Sequence, residues 1–317
     1  MVDGADEPRY PVRVVMSRSG LSADVLRAWE RRYGAVRPRR SAGGQRLYSE
    51  DDVARLTLLR RATLAGHSIA EIARLDASAL EALLEEPTRP REAEPRAEAV
   101  DAVVAAAVAA AERLDGAAVE ATLKRAAFSF GSVVLVDHVI SRFLRRVGDQ
   151  WHAGTLTPAH EHLASAAVRR VLTWAIDAYA PSPRAPRLVV ATPDGELHEF
   201  GAMLAAVAAV DEGWRVVYLG ASLPTAPIVE AAVTVNARAV VLSAVYANGG
   251  DPVAAVMAVA RALPRRTSLL VGGAAVADRS DVLRTAGVRV LPDIAALRRT
   301  LRSLRTATPA GEHGSDA

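Results

Sequence analysis

The hydrophobic period of this chain changes at Pro181–Pro186 (PSPRAP), and that change limits the folds open to it. Before it, apolar residues such as Leu135, Val139, Phe143 and Val147 recur at helical spacing. After it come short, mostly branched runs: Leu188–Thr192 (LVVAT), Arg215–Leu219 (RVVYL), Ala239–Ser243 (AVVLS), Leu269–Val271 and Val288–Leu291. Amphipathic stretches at 199–212, 225–235, 252–262, 279–286 and 294–304 separate and follow these runs. Strand and helix in alternation predict a parallel sheet covered on both faces. Such sheets bind ligands at the carboxyl ends of their strands.

A second proline-bearing stretch, Glu85–Glu98 (EEPTRPREAEPRAE), reads as a linker over 85–97. The expected plan is therefore multidomain: an all-α winged helix-turn-helix head at 11–84, a four-helix bundle at 98–180, and an α/β flavodoxin-like domain at 187–305. Residues 1–10 read as frayed and 306–317 as a disordered tail. Within the bundle a break is expected at Gly148–Pro158, with Thr157 capping the next helix and Pro158 at its first position.

The head reads as short helices with tight breaks. Val12–Arg18 forms one, and Ser22 caps the next, Ala23–Tyr33. Arg37–Leu47, with Pro38, Gly43 and Gly44, reads as a hairpin. Ser49 caps a helix whose first turn holds Glu50, Asp51 and Asp52, and Ser68 starts another through Ile69, Ile72 and Leu75. The net charge of +3 is too small to argue for nucleic acid, but ten arginines stand between Arg9 and Glu50 against three carboxylates. Clustered cations of that kind neutralise phosphates. Arg27 and Arg31, four apart, share a helix face, with Arg32 beside them. The hairpin offers Arg37, Arg39, Arg40 and Arg46, followed by Tyr48.

The chain has no cysteine, which excludes disulfides, thiolate metal sites and cysteine nucleophiles. No signal peptide and no run of about 20 apolar residues is visible, so a cytoplasmic protein is expected.

The stretch LRAWERRYGAVRPRRSAGGQRLYSEDDVARL resembles the DNA-binding domain of MerR-type regulators, over about Val12–Leu84. That resemblance implies operator DNA as a partner and a homo-oligomer. Metal sensors of that type use cysteines, which this chain lacks.

Glu196-Leu197-His198-Glu199-Phe200-Gly201 follows the first strand. After 41 residues comes Ser243-Ala244-Val245, and after 26 more Gly272-Gly273. This resembles the D-x-H-x-x-G, S-x-L, G-G motif of methionine synthase-like cobalamin domains. Glu196 stands for the usual Asp, and Val245 for Leu. The residues suit the chemistry: an imidazole can bind cobalt from below, and a carboxylate two residues away can hold its tautomer. His198 is then the lower axial ligand, with Glu196 behind it. Gly201, Ser243, Val245, Gly272 and Gly273 line the cleft for the nucleotide tail.

Trp151-His152 with Glu161-His162, nine residues separating Trp151 from Glu161 (W-x9-E-H), resembles the helical module of CarH-type photoreceptors. The resemblance implies that Trp151, Glu161 and His162 line the upper face of adenosylcobalamin. It also implies that His152 takes the upper cobalt position after illumination. The expected protein is a light-responsive repressor, a dimer or tetramer that holds operator DNA in the dark, and not an enzyme. Three alternatives stay open: a regulator that reads cobalamin or a protein partner without light, a corrinoid-dependent methyltransferase subunit, and a regulator with a degenerate site. The arginine-rich head and the absence of cysteine to hold zinc argue against the methyltransferase.

Overall fold

The computed structural model describes residues 7–41, 43–64, 67, 69–85, 93–178, 181–246 and 250–306. The chain divides into two compact units, Met1–Ser182 and Pro183–Ala317.

In the first unit β1 (Tyr10–Pro11) leads into α1 (Val12–Ser19), and α2 (Ala23–Ala28) continues through one π turn, Trp29–Tyr33. Ser22 caps α2 by accepting from the Val25 N–H at 3.3 Å. Strands β2 (Arg39–Arg40) and β3 (Arg46–Tyr48) make the expected hairpin. Arg9 and Tyr10, expected to be frayed, are tied down: β1 pairs with β3, and the Arg9 N–H donates to the Tyr48 carbonyl at 3.0 Å. Helix α3 (Glu50–Leu64) starts with a reciprocal cap: Ser49 Oγ accepts from the Asp52 N–H, and Asp52 accepts from the Ser49 N–H. Helices α4 (Ile69–Ile72) and α5 (Ala77–Glu85) complete the head. Ser68, expected to start α4, lies outside the described residues.

Helix α6 (Ala93–Glu112) begins inside the stretch expected as linker, with Pro95 in its first turn. Proline is tolerated there because the N–H it lacks has no intrahelical partner in any case. Helix α7 (Gly116–Val134) is broken at Gly131, whose φ of 81° and ψ of 168° are not helical. It resumes through a π turn, Leu135–Ile140, into α8 (Ser141–His152), and α9 (Pro158–Asp177) follows. The break converts three helical segments into the four rods of a bundle. Leu135, Val139, Phe143 and Val147 are all buried, as their spacing predicts. Gly148 lies inside α8, so the break between the last two helices is narrower than expected, at 153–157. A glycine with no positive φ does not end a helix; Gly154, at φ 75°, does.

Head and bundle share one core. Phe128 and Trp174 of the bundle pack against the cluster that holds Val25, Leu26 and Trp29, and Ala178 belongs to that cluster. A Cβ on Gly131 would stand 3.0 Å from the Thr63 carbonyl oxygen, so the helix break sits where α7 meets the end of α3. The Phe128 and Trp174 rings meet edge-on at 5.3 Å, an arrangement worth about 0.5–1.5 kcal/mol beyond burial.

An 18-residue window within Gly116–His152 has mean hydropathy 1.4, long and apolar enough to cross a membrane by length and composition, against expectation. The segment is broken at Gly131 and packs on α6 and α9, and core helices of globular domains pass the same test.

The second unit is a five-stranded parallel sheet in the order β5-β4-β6-β7-β8. Its strands are β4 (Arg187–Pro193), β5 (Arg215–Leu223), β6 (Ala239–Ser243), β7 (Ser268–Gly272) and β8 (Arg289–Leu291). Helices α10 (Phe200–Asp211) and α15 (Ile294–Thr306) cover one face, and α11 (Thr225–Thr234) and α12 (Pro252–Ala262) the other. Two short helices, α13 (Ala274–Ala277) and α14 (Ser280–Thr285), follow β7. Strand β6 is buried at every position, and β4 at all but its first. That burial is why both read as continuous apolar runs. Helix α15 includes Thr306, the first residue of the expected tail; the rest of that tail lies outside the described residues.

Candidate functional site

Strands β4, β6 and β7 end side by side, so the loops after them meet at one edge of the sheet. The first carries Glu196 and His198, the second Ser243–Tyr246, the third Gly272–Gly273. Glu196 is buried at 2 % exposure and bridges two of these loops. Its Oε1 accepts from the His198 N–H and pairs with His198 Nδ1, both at 2.7 Å. Its Oε2 accepts from the N–H groups of Val245 at 2.7 Å and Tyr246 at 2.6 Å. Burial alone would push this carboxyl upward; the hydrogen bonds from Tyr246, His198 and Val245 outweigh it and hold the group below the usual carboxylate range. The His198 side chain is about half exposed, and its Nε2 makes no hydrogen bond among the described residues. A buried anion behind Nδ1 favours the tautomer with the proton there and leaves the Nε2 lone pair to a ligand.

The loop beneath is pinned from the neighbouring strand. Thr192 Oγ1 donates to the Glu196 carbonyl at 2.5 Å and accepts from the Ser222 N–H at 2.7 Å. Ser222 Oγ accepts from the Gly195 N–H at 3.1 Å. Ser222 holds φ 54°, the left-handed region that non-glycine residues rarely enter. Thr192, Ser222 and Tyr246 escaped the sequence reading. Thr192 left one signal, a hydroxyl ending an otherwise apolar strand; Ser222 left none.

A cavity of about 150 Å³ opens beside this loop. Gly201, Ser243, Val245, Gly272 and Gly273 all line it, joined by residues of the β8–α15 turn. A Cβ on Gly201 would collide with Ser243 Oγ, and one on Gly273, at φ 117°, with the Ala244 backbone. Gly201 and Gly273 thus let Ser243 and the Ala244 backbone close in beside the cavity, an approach that a side chain at either position would block.

Trp151, His152, Glu161 and His162 gather at one end of the bundle, across the turn between α8 and α9. The Trp151 and His152 rings meet edge-on at 4.9 Å, and Trp151 is 44 % exposed. His152 Nδ1 pairs with the Gly148 carbonyl at 2.8 Å. Glu161 Oε1 accepts from Ser165 Oγ at 2.6 Å, and its Oε2 pairs with His162 Nδ1 at 2.9 Å. Thr157 caps α9 with its N–H on His160 Nδ1 at 3.2 Å. No group of three or more metal-ligating side chains occurs among the described residues.

In the head, Arg27, Arg31, Arg32, Arg37, Arg39 and Arg40 are exposed. The π turn at Trp29–Tyr33 adds a residue per turn and offsets the register expected between Arg27 and Arg31. One expected DNA contact falls elsewhere. Tyr48 is fully buried, and its hydroxyl donates to Glu30; burial and that carboxylate push its phenol upward. Arg46 is half-buried in an ion pair with Glu30 at 3.0 Å. The apolar interior under the hairpin claims the ring, so Tyr48 is a core residue and not a surface contact.

A basic winged head followed by a helical bundle and a glycine-lined parallel sheet defines a corrinoid-binding transcriptional regulator. Residues 10–79 match the MerR HTH family of regulatory proteins, and 96–175 and 186–293 each match a B12 binding domain. The chain is 33 % identical over 288 residues to the HTH-type transcriptional repressor CarH of Myxococcus xanthus, covering 90 % of this chain and 95 % of that protein. It is 31 % identical to the repressor CarA of the same organism, covering 88 % and 91 %. The chain belongs to the CarH family of MerR-type regulators with B12-binding domains.

Proposed function

We propose that this protein is a light-responsive repressor that holds operator DNA while it carries adenosylcobalamin. The observation that supports the corrinoid reading most directly is His198, with Nδ1 tied to buried Glu196 and Nε2 without a hydrogen-bond partner among the described residues. His198 is the lower axial ligand. Gly201, Ser243, Val245, Gly272 and Gly273 receive the nucleotide tail in the cavity they line. The domain assignment is a head at 11–84, a cap at 98–180 and a corrinoid domain at 187–305. Adenosylcobalamin, when bound, supplies a cobalt–carbon bond that light breaks.

The chain's part is to read whether the adenosyl group is present. Trp151 packs against that group, with Glu161 and His162 beside it. Loss of the group removes the contact that favours one packing of the bundle over another, and the population shifts. The Gly148 carbonyl holds His152 at Nδ1, which keeps Nε2 available to take the upper cobalt position after light. Arg27, Arg31, Arg32, Arg37, Arg39 and Arg40 bind operator DNA in the cytoplasm, with Arg46 at the base of the hairpin. A dimer or tetramer gains from binding repeated sites at once and loses that gain when it comes apart.

Size exclusion of protein mixed with adenosylcobalamin in the dark, before and after green light, tests this. The expected result is a smaller species after light and a lost DNA shift. An unchanged elution volume and an unchanged shift would reject the light reading and leave a regulator that reads cobalamin supply.

A further inference from the structure

Among the large apolar side chains of the described residues the two most exposed are Leu197, at 67 %, and Tyr246, at 62 %. They flank His198. One exposed apolar residue needs no explanation, but two beside a half-exposed imidazole at the ligand end of a parallel sheet form a patch. The Tyr246 ring lies 5.3 Å from the imidazole, centroid to centroid, with the planes tilted by 34°.

Glu196 creates this pairing. One oxygen holds the His198 main chain and Nδ1, and the other holds the Tyr246 N–H from the loop after β6. The two rings therefore hang from a single buried carboxylate. The bond at Nδ1 fixes which nitrogen faces the protein, but it leaves the imidazole free to swing about that bond. A flat ring on one side removes much of the swing.

We propose that Tyr246 is a positioning residue for the axial histidine. Its ring packs on the imidazole of His198 and keeps Nε2 aimed at the place cobalt occupies. This rests on the assignment of His198 as cobalt ligand.

The test uses the full-length protein and its Tyr246→Phe, Tyr246→Ala, Tyr246→Leu and His198→Ala variants. Hydroxocobalamin affinity is read by absorbance, and the nitrogen splitting of bound cob(II)alamin by electron paramagnetic resonance. NMR of the ligand-free protein follows the His198 ring protons. Tyr246→Phe should match wild type. Tyr246→Ala should bind roughly tenfold more weakly, the low end of what outer partners of a metal ligand contribute. It should also show blurred imidazole splitting and shifted His198 ring protons. Tyr246→Leu keeps the bulk without the flat ring; it should show the same loss and serves if the alanine variant does not fold. Wild-type splitting, affinity and ring-proton positions in a folded Tyr246→Ala or Tyr246→Leu protein would overturn the role of Tyr246 and leave His198 as ligand. Absence of imidazole splitting in wild type itself would overturn the ligand assignment, and this proposal with it.

Discussion

Two carboxylate–histidine pairs among the described residues are built in opposite ways. Glu196 and His198 are joined through a buried acid that also accepts from two backbone groups of another loop. Glu161 and His162 are sequence neighbours on the first turn of α9, and the His162 side chain is 81 % exposed. The first pair is fixed by long-range contacts; the second is held by its own helix. A ligand that must stay on its metal suits the first design, and side chains that must move when a group leaves suit the second.

The largest expected effect comes from breaking the fixed pair. Glu196→Ala frees the imidazole and strips the Val245 and Tyr246 N–H groups of their acceptor. Cobalamin affinity measured by absorbance titration should fall about ten- to a hundredfold. An affinity within twofold of wild type would erase the contrast.

Next comes Gly201→Ala in the adjoining cavity. The added methyl would collide with Ser243 Oγ, so the cavity wall that both residues share must shift. Binding of cobalamin should weaken several-fold, whereas cobinamide, which lacks the nucleotide tail, should bind as to wild type. Equal losses for both ligands would detach the cavity from the tail.

The helix-held pair and its neighbour Trp151 should respond less. Trp151→Ala and Glu161→Gln each alter an exposed or half-exposed side chain, so ligand-free stability by thermal unfolding should change by no more than about 0.5 kcal/mol. The effect of Trp151→Ala should appear only as weaker binding of adenosylcobalamin relative to hydroxocobalamin.

The smallest effect contrasts Glu196 with a carboxylate at the surface. Glu50 sits against Arg18, which with Tyr10 lowers its pKa from 4.5 to about 2. A depressed folded-state value stabilises the fold fully above the unfolded value, and the gain is lost as pH falls from about 4.5 towards 2. Acid unfolding of Glu50→Gln, followed by circular dichroism, should therefore match wild type near pH 2 and fall slightly behind it above pH 5.

The sequence showed the alternation of strand and helix, the flavodoxin-like order it implied, and the residues at the carboxyl ends of β4, β6 and β7. Both kinds of signal are local or nearly so: burial alternates within a few residues, and a parallel strand must end near its neighbours' ends. The same reading missed Tyr246, because nothing near it in the chain marks it, and it sent Tyr48 to the surface because a ring beside basic residues looks like a DNA contact. The fully buried core position of Tyr48 is a property of the closed hairpin, not of its neighbours in sequence.

By itself, then, the sequence determined the order of modules, most of the elements within them and the place of His198 at the carboxyl end of β4, since these follow from periodicity and fixed spacing. Only the tertiary structure decided that head and bundle share a core across Gly131, and that Glu196 reaches two loops at once. Those contacts join residues far apart in the chain, and the packing that closes the loops between them has no local pattern to announce it.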